Sequence, residues 1–230
     1  MLKNTSRELK TKCFVLRRTN WAEADRILNL ITPEGKISAL AKGVRKEKSK
    51  LAGGVEMFTL SEINLHLGRS ELATVTGVKM IKFYGNILKD LTRMEMAVMI
   101  LKKVSTASEN VDAPEFFEIV NECLAALDAG AEMRLIEAWF LLNMAKTMGE
   151  QVNFLTDTDG EKLDASFEYE WDMVEAAFCK KENGRADANL IKILRLLWGS
   201  RLADIRRVKN LEKYMADALF VVRAVTAAKV

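Results

Sequence analysis

The sequence predicts an α+β chain: an N-terminal five-stranded β-barrel of the OB type, followed by an all-helical body with a small β-hairpin insert. Three observations predict it. Short apolar runs with two-residue alternation, separated by turn signals, continue to about Met80. Helical spacing takes over after Tyr84. That spacing breaks between residues 150 and 184, where aromatic residues alternate around polar turns, and then resumes. The expected domains are residues 1–82 and 83–230, with the insert at about 150–184.

Cys13-Phe14-Val15-Leu16 reads as the first strand. Ile27–Thr32 is the second, closed by Pro33-Glu34-Gly35, a turn with Pro and Gly where a tight turn needs them. Lys36–Lys42 alternates as a third strand. Gly53-Gly54 breaks the chain before Met57–Leu67, a fourth strand expected to bulge near Ser61. Gly68-Arg69 turns into Leu72–Val78, the fifth. Five short strands in so compact a stretch fit a small closed barrel. Leu88–Ser105, Pro114–Leu127 and Glu132–Met148 read as helices, with Gly130 and Gly149 just past two of their ends. Ala188–Trp198 and about Asn210–Ala228 are two more. Between them, Phe167, Tyr169, Trp171 and Phe178 are expected to pack a hairpin, and Asp157-Thr158-Asp159-Gly160 reads as a turn rather than the opening of a calcium loop.

Charge is unevenly spread. Residues 1–80 hold 15 of the 35 Lys and Arg but 8 of the 32 Asp and Glu, a balance of +7 there and −4 over the rest. A basic front half suggests a polyanion partner. Three scattered cysteines, Cys13, Cys123 and Cys179, have neither disulfide-framework nor zinc-ligand spacing and suggest a reducing compartment. The N-terminus lacks a signal-peptide pattern, and Leu135–Met148 is too short for a membrane span. The expected location is the cytoplasm.

Lys42, Arg45, Lys46, Lys48 and Lys50 form the densest cationic run, opposed only by Glu47. Such a loop suits phosphates, because each cation meeting a phosphate releases condensed counterions. Single-strand binding also uses aromatic platforms. Trp21 is the best candidate ahead of Phe14 and Phe58, and Arg26 and Arg69 complete the expected nucleic-acid-binding set. Glu23 and Asp25 have no converging histidine or second paired carboxylate and read as ion-pair material, and His66 reads as structural. No catalytic set and no cofactor site emerges. In the rear half, Arg195, Trp198, Arg201, Arg206 and Arg207 form a mixed apolar and cationic patch that suits an acidic peptide carrying apolar side chains.

Several segments in order resemble the bacterial recombination mediator family RecO. Trp21–Ile27 resembles its aromatic-x-Glu-x-Asp-Arg-Ile segment, Thr32–Lys36 its Thr-Pro-x-Gly-Lys turn and Gly43–Ser49 its Gly-x-Arg-x-x-x-Ser loop. Phe58-Thr59-Leu60, Gly68-Arg69-x-Glu71-Leu72 and Gly149-x-x-Val152-Asn153-Phe154 followed by Tyr169 continue the order. The resemblance implies a non-enzymatic protein of DNA repair and recombination, in the RecFOR pathway that answers DNA damage. Such a protein binds single- and double-stranded DNA, anneals complementary strands, and works with RecR and single-strand-binding protein to load RecA. The cationic patch at Arg195–Arg207 would then take the C-terminal tail of single-strand-binding protein. Nucleoid association is implied with it. Many members hold zinc with four cysteines after the third long helix; here only Cys179 is in that region, so a zinc-free member is expected. The competing reading is a non-enzymatic OB-fold adaptor that meets a protein partner through its basic loop.

Overall fold

The computed structural model describes residues 7–68, 70 and 72–227. The chain divides into two compact units at Asp128/Ala129.

The first unit opens with five strands: β1 Arg7–Trp21, β2 Asp25–Thr32, β3 Gly35–Ala41, β4 Thr59–Leu67 and β5 Ala73–Phe83. They close a barrel in the order β1-β2-β3-β5-β4. Closure runs through a short parallel contact, Ala39 with Ala73 and Leu40 with Thr74. β1 is 15 residues long, far longer than its apolar centre suggests, because it serves two partners. Its first half pairs with β4 (Arg7 with Leu67 to Cys13 with Ser61) and its second half with β2 (Phe14 with Ile31 to Trp21 with Asp25). The change of partner is followed by a bulge between Val15 and Arg17. The bulge expected near Ser61 is present as a register shift between Leu60 and Ser61.

The barrel interior is filled from all five strands by Cys13, Val15, Leu28, Leu30, Ala39, Ala41, Ile63, Leu65, Ala73 and Val75. Small alanines at 39, 41 and 73 let bulkier neighbours fit so narrow a barrel. On the outer side Phe14 is buried against Phe117, with ring centroids 5.3 Å apart, and against Tyr84 at 6.2 Å. That contact joins the barrel to α1 Leu91–Ala107 and α2 Glu115–Asp128, which complete this unit. The β2–β3 turn is pressed onto the segment that connects these two helices. A Cβ on Gly35 (φ +106°) would lie 2.4 Å from the Asp112 carboxylate, and Lys36 pairs with Glu109 at 3.5 Å. The exposed Asp112 side chain could move aside, so the positive φ is the demand that favours glycine here.

The second unit holds α3 Met133–Thr147, the hairpin β6 Tyr169–Asp172 and β7 Ala177–Lys180, then α4 Ala188–Gly199, α5 Leu202–Ile205 and α6 Met215–Ala227. α3 is its core helix and packs on α6 and α4. Trp139 is buried with its indole N–H donating to the Ser200 carbonyl at 2.9 Å, so its one polar atom is satisfied. The hairpin rests on an aromatic cluster in which Trp171 meets Phe178 edge-on at 5.0 Å and Phe154 and Tyr169 flank them. The sequence predicts Phe167 in this cluster. It is 49% exposed instead, with the Lys180 ammonium 5.2 Å over its ring, and Phe154 occupies the inner position. Phe167 precedes β6, so the hairpin's alternation does not aim it inward.

Candidate nucleic-acid interface

The basic loop leaves β3 at Ala41 and rejoins the barrel through a 3-10 turn at Ala52–Val55. It is tethered rather than free. Gly43 takes the left-handed conformation (φ +63°), which a side chain would strain. Its N–H donates to Asp25 Oδ1 at 2.7 Å, and the Arg45 N–H donates to the Ala24 carbonyl at 2.9 Å. Between them Val44 is driven into the barrel core, 2% exposed. Internal turns follow, from the Lys46 N–H to the Gly43 carbonyl and from the Ser49 N–H to the Lys46 carbonyl. With Val44 pointing inward, Lys42, Arg45, Lys46, Lys48 and Lys50 are exposed, and among the described residues none of the five has an ion-pair partner.

Trp21 comes to the same end of the barrel. It closes β1, is 55% exposed, and stands opposite Asp25, the residue that holds the loop. Phe14 and Phe58, the weaker aromatic candidates, are buried in the core. Arg26 is near in space but engaged: it bonds Asn20 Oδ1 at 3.3 Å and pairs with Glu56 at 3.4 Å. Glu56 also pairs with Arg18. Register places Arg18 with Leu28 and Asn20 with Arg26, so this polar group closes the mouth of the barrel above its apolar filling. Arg69 lies outside the described residues. Alternate residues of the first three strands give the outer face rows that sequence alone could not register: Thr19, Ile27 and Leu40 in one, Arg17, Asn29 and Ser38 in the next.

The five residues expected to bind an acidic peptide do not share one depression. Arg195 donates from Nε to the Phe154 carbonyl at 2.8 Å, tying α4 to the aromatic cluster, and lines a shallow hollow with Leu163 and Ile191. Arg206 lines a different hollow, with Leu135, Val208 and Leu211. Trp198 is half-buried with Lys146 5.5 Å over its ring, Arg201 precedes α5, and Arg207 pairs with Asp204 at 3.8 Å.

The hairpin region does not fit zinc. Its single thiol, Cys179, donates to the Glu170 carbonyl at 3.5 Å, and among the described residues no three His, Cys, Asp or Glu side chains gather as ligands. Asp157 organises the loop before the hairpin. Its Oδ1 accepts from the N–H groups of Asp159 at 3.1 Å and Glu161 at 2.9 Å, and Oδ2 faces the Lys180 ammonium at 3.4 Å. Burial pushes this carboxyl's pKa up, but the backbone N–H of Glu161, the Lys180 ammonium and the Asp159 N–H outweigh it and hold the group below the ordinary carboxylate value. Cys13 and Cys123 lie in cores, and burial pushes the Cys13 thiol to about 12 and the Cys123 thiol up as well.

A closed five-stranded barrel with this strand order, carrying a cationic loop and an exposed tryptophan at one end, defines an OB-fold protein with a helical second unit. The family model described as Recombination protein O N terminal matches residues 6–84, and that described as Recombination protein O C terminal matches residues 88–224. The chain belongs to the recombination protein O family, whose function is DNA repair and recombination. It is 29% identical to the DNA repair protein RecO of Dehalococcoides mccartyi (strain CBDB1) over 225 residues, 94% of this chain and 88% of the relative. It is 31% identical to that of Roseiflexus sp. (strain RS-1) over 144 residues, 62% of this chain and 50% of the relative. The match to that of Alkaliphilus metalliredigens (strain QYMF) is 38% over 102 residues, 44% and 41% of the two chains. No helix among the described residues is long and apolar enough to cross a membrane.

Proposed function

We propose that this protein binds single- and double-stranded DNA, anneals complementary strands, and with RecR helps load RecA onto strands coated by single-strand-binding protein. The observation that carries this reading is the tethered loop Lys42–Lys50, with five cations unmatched by carboxylates beside the exposed Trp21. Annealing needs contacts that gather strands without reading or covering base edges. Phosphate contacts from Lys and Arg do this, since they carry no sequence information and weaken steeply with salt. Trp21 adds a stacking surface that accepts any base. The role is that of a binding protein acting at the nucleoid in the cytoplasm.

Arg195, Trp198, Arg201, Arg206 and Arg207 remain our proposed contact for the acidic tail of single-strand-binding protein. Arg201 and Arg206 are the pair to change, one at the start of α5 and one just past its end. A tail peptide that binds the Arg201→Ala/Arg206→Ala variant as tightly as the parent would remove that assignment. The main reading is tested by mixing two complementary oligonucleotides of ~30 residues, each long enough to span several phosphate contacts. Pairing accelerated by the protein at low salt and slowed by added salt is expected. No acceleration, together with no binding of either strand, would favour the adaptor that docks a protein through the same loop.

A further inference from the structure

Asp25 belongs to the Trp21–Ile27 segment, and as a carboxylate beside a basic loop it looks unfavourable for an anion-binding surface. The structure gives it a different task. Its Oδ1 accepts the Gly43 N–H at 2.7 Å, and the carbonyl before it, that of Ala24, accepts the Arg45 N–H at 2.9 Å. These two bonds straddle Val44, whose side chain is sealed in the barrel core. Across the β1–β2 hairpin, Asp25 is the register partner of Trp21. One residue therefore faces both parts of the proposed interface.

We propose that Asp25 is a positioning residue: it fixes the backbone at Gly43 so that the cations of the loop are held in one arrangement beside Trp21. A charge-assisted bond to a backbone N–H is short and strong, and Gly43, in the left-handed region, is the residue of the loop with the widest conformational freedom. Without the bond, the loop retains Val44 and the Arg45 bond but loses its fixed departure from β3. Binding a phosphate chain must then order the loop at the moment of contact, which costs affinity. The carboxylate itself repels phosphate, so its value lies in the loop geometry it imposes.

This inference rests on the proposed DNA-binding role, and its test separates the two. Asp25→Ala removes the acceptor, whereas Asp25→Asn keeps an oxygen at Oδ1 and removes the charge. Hydrogen exchange on the intact protein without DNA comes first. Exchange at Gly43 is expected to quicken at least tenfold in Asp25→Ala and to return towards the parent rate in Asp25→Asn, with Leu28 and Leu30 in the adjacent strand unchanged. Anisotropy titration with a labelled single strand of ~30 nucleotides comes second. Asp25→Ala is expected to bind several-fold more weakly with an unaltered salt slope, because every cation remains, and Asp25→Asn is expected to bind at least as tightly as the parent. Unchanged exchange at Gly43 in Asp25→Ala overturns the positioning role. Tighter strand binding by both variants overturns it too, since Asp25 would then act only as a repelling charge. A parent protein that binds no strand overturns the DNA-binding reading instead, and the exchange comparison still decides what Asp25 does to the loop.

Discussion

Replacing Lys46, Lys48 and Lys50 together with alanine should change the salt dependence of strand binding by a calculable amount. Five cations, Lys42, Arg45, Lys46, Lys48 and Lys50, project from the loop without ion-pair partners among the described residues. If each meets one phosphate of a single strand, log K should fall against log salt with a slope of about −3.5, since each phosphate neutralised contributes about 0.7. The triple variant keeps two cations and should give about −1.4. Between 50 and 200 mM salt the parent would lose roughly 100-fold in affinity and the variant roughly sevenfold. The assay is fluorescence anisotropy with a labelled ~30-mer at four salt concentrations, long enough to occupy the loop without end effects. Arg26→Ala is the internal control: its guanidinium is occupied by Glu56 and Asn20, so the slope should stay at the parent value. A triple variant with the parent's slope would refute the assignment of the loop cations to phosphates, whatever its absolute affinity.

Other outcomes test the fold around this site. Phe178→Ala removes the centre of the aromatic cluster and should destabilise the second unit by about 3–5 kcal/mol in urea unfolding, the range for buried phenylalanine. Burial pushes the Cys13 thiol to about 12 and raises that of Cys123, because a thiolate loses its hydration there; a thiol reagent should therefore label Cys179 alone in the native protein and all three cysteines in denaturant. The depressed carboxyl of Asp157 stabilises the fold fully above its unfolded pKa of about 3.9 and loses that contribution as pH falls through its lower folded value. The Tm difference between parent and Asp157→Asn should accordingly be constant near neutrality and shrink in acid below that value. Metal analysis of the purified protein should find no stoichiometric zinc, and one equivalent would contradict the reading of the hairpin.

Much of the fold was legible because its signals are local. Each of the five strands covers most of the segment that two-residue alternation and turn residues predict, and the β4 bulge shows as a fault in that alternation, but β5 runs on to Phe83, five residues past the expected Val78, by pairing with β4. The true length of β1 did not show. Arg7–Lys12 and Arg17–Asn20 are too polar to read as strand, and they become strand only by pairing with β4 and β2. The loop cations and Trp21 were legible by composition, but their convergence was not, since it depends on the register that sets Trp21 opposite Asp25. In sequence Asp25 looks like ion-pair material, because its partner is a backbone N–H 18 residues ahead and backbone donors have no sequence signature. Arg26 is named by the sequence as a nucleic-acid-binding cation, but its pairing with Glu56 has no local signature, because Glu56 lies 30 residues away and meets it only in the closed barrel. Phe167 and Phe154 show the same limit on a smaller scale, where composition supplied an aromatic cluster and geometry chose its members.

Whether the loop meets DNA is read from a hydrogen-exchange footprint of the full chain with and without a single strand of ~30 nucleotides at low salt, where phosphate contacts are strongest. Protection concentrated in Gly43–Lys50 and at the β1–β2 hairpin carrying Trp21 is the predicted result. Strand binding that protects only residues beyond Asp128, leaving the loop exchanging as in the free protein, would contradict it.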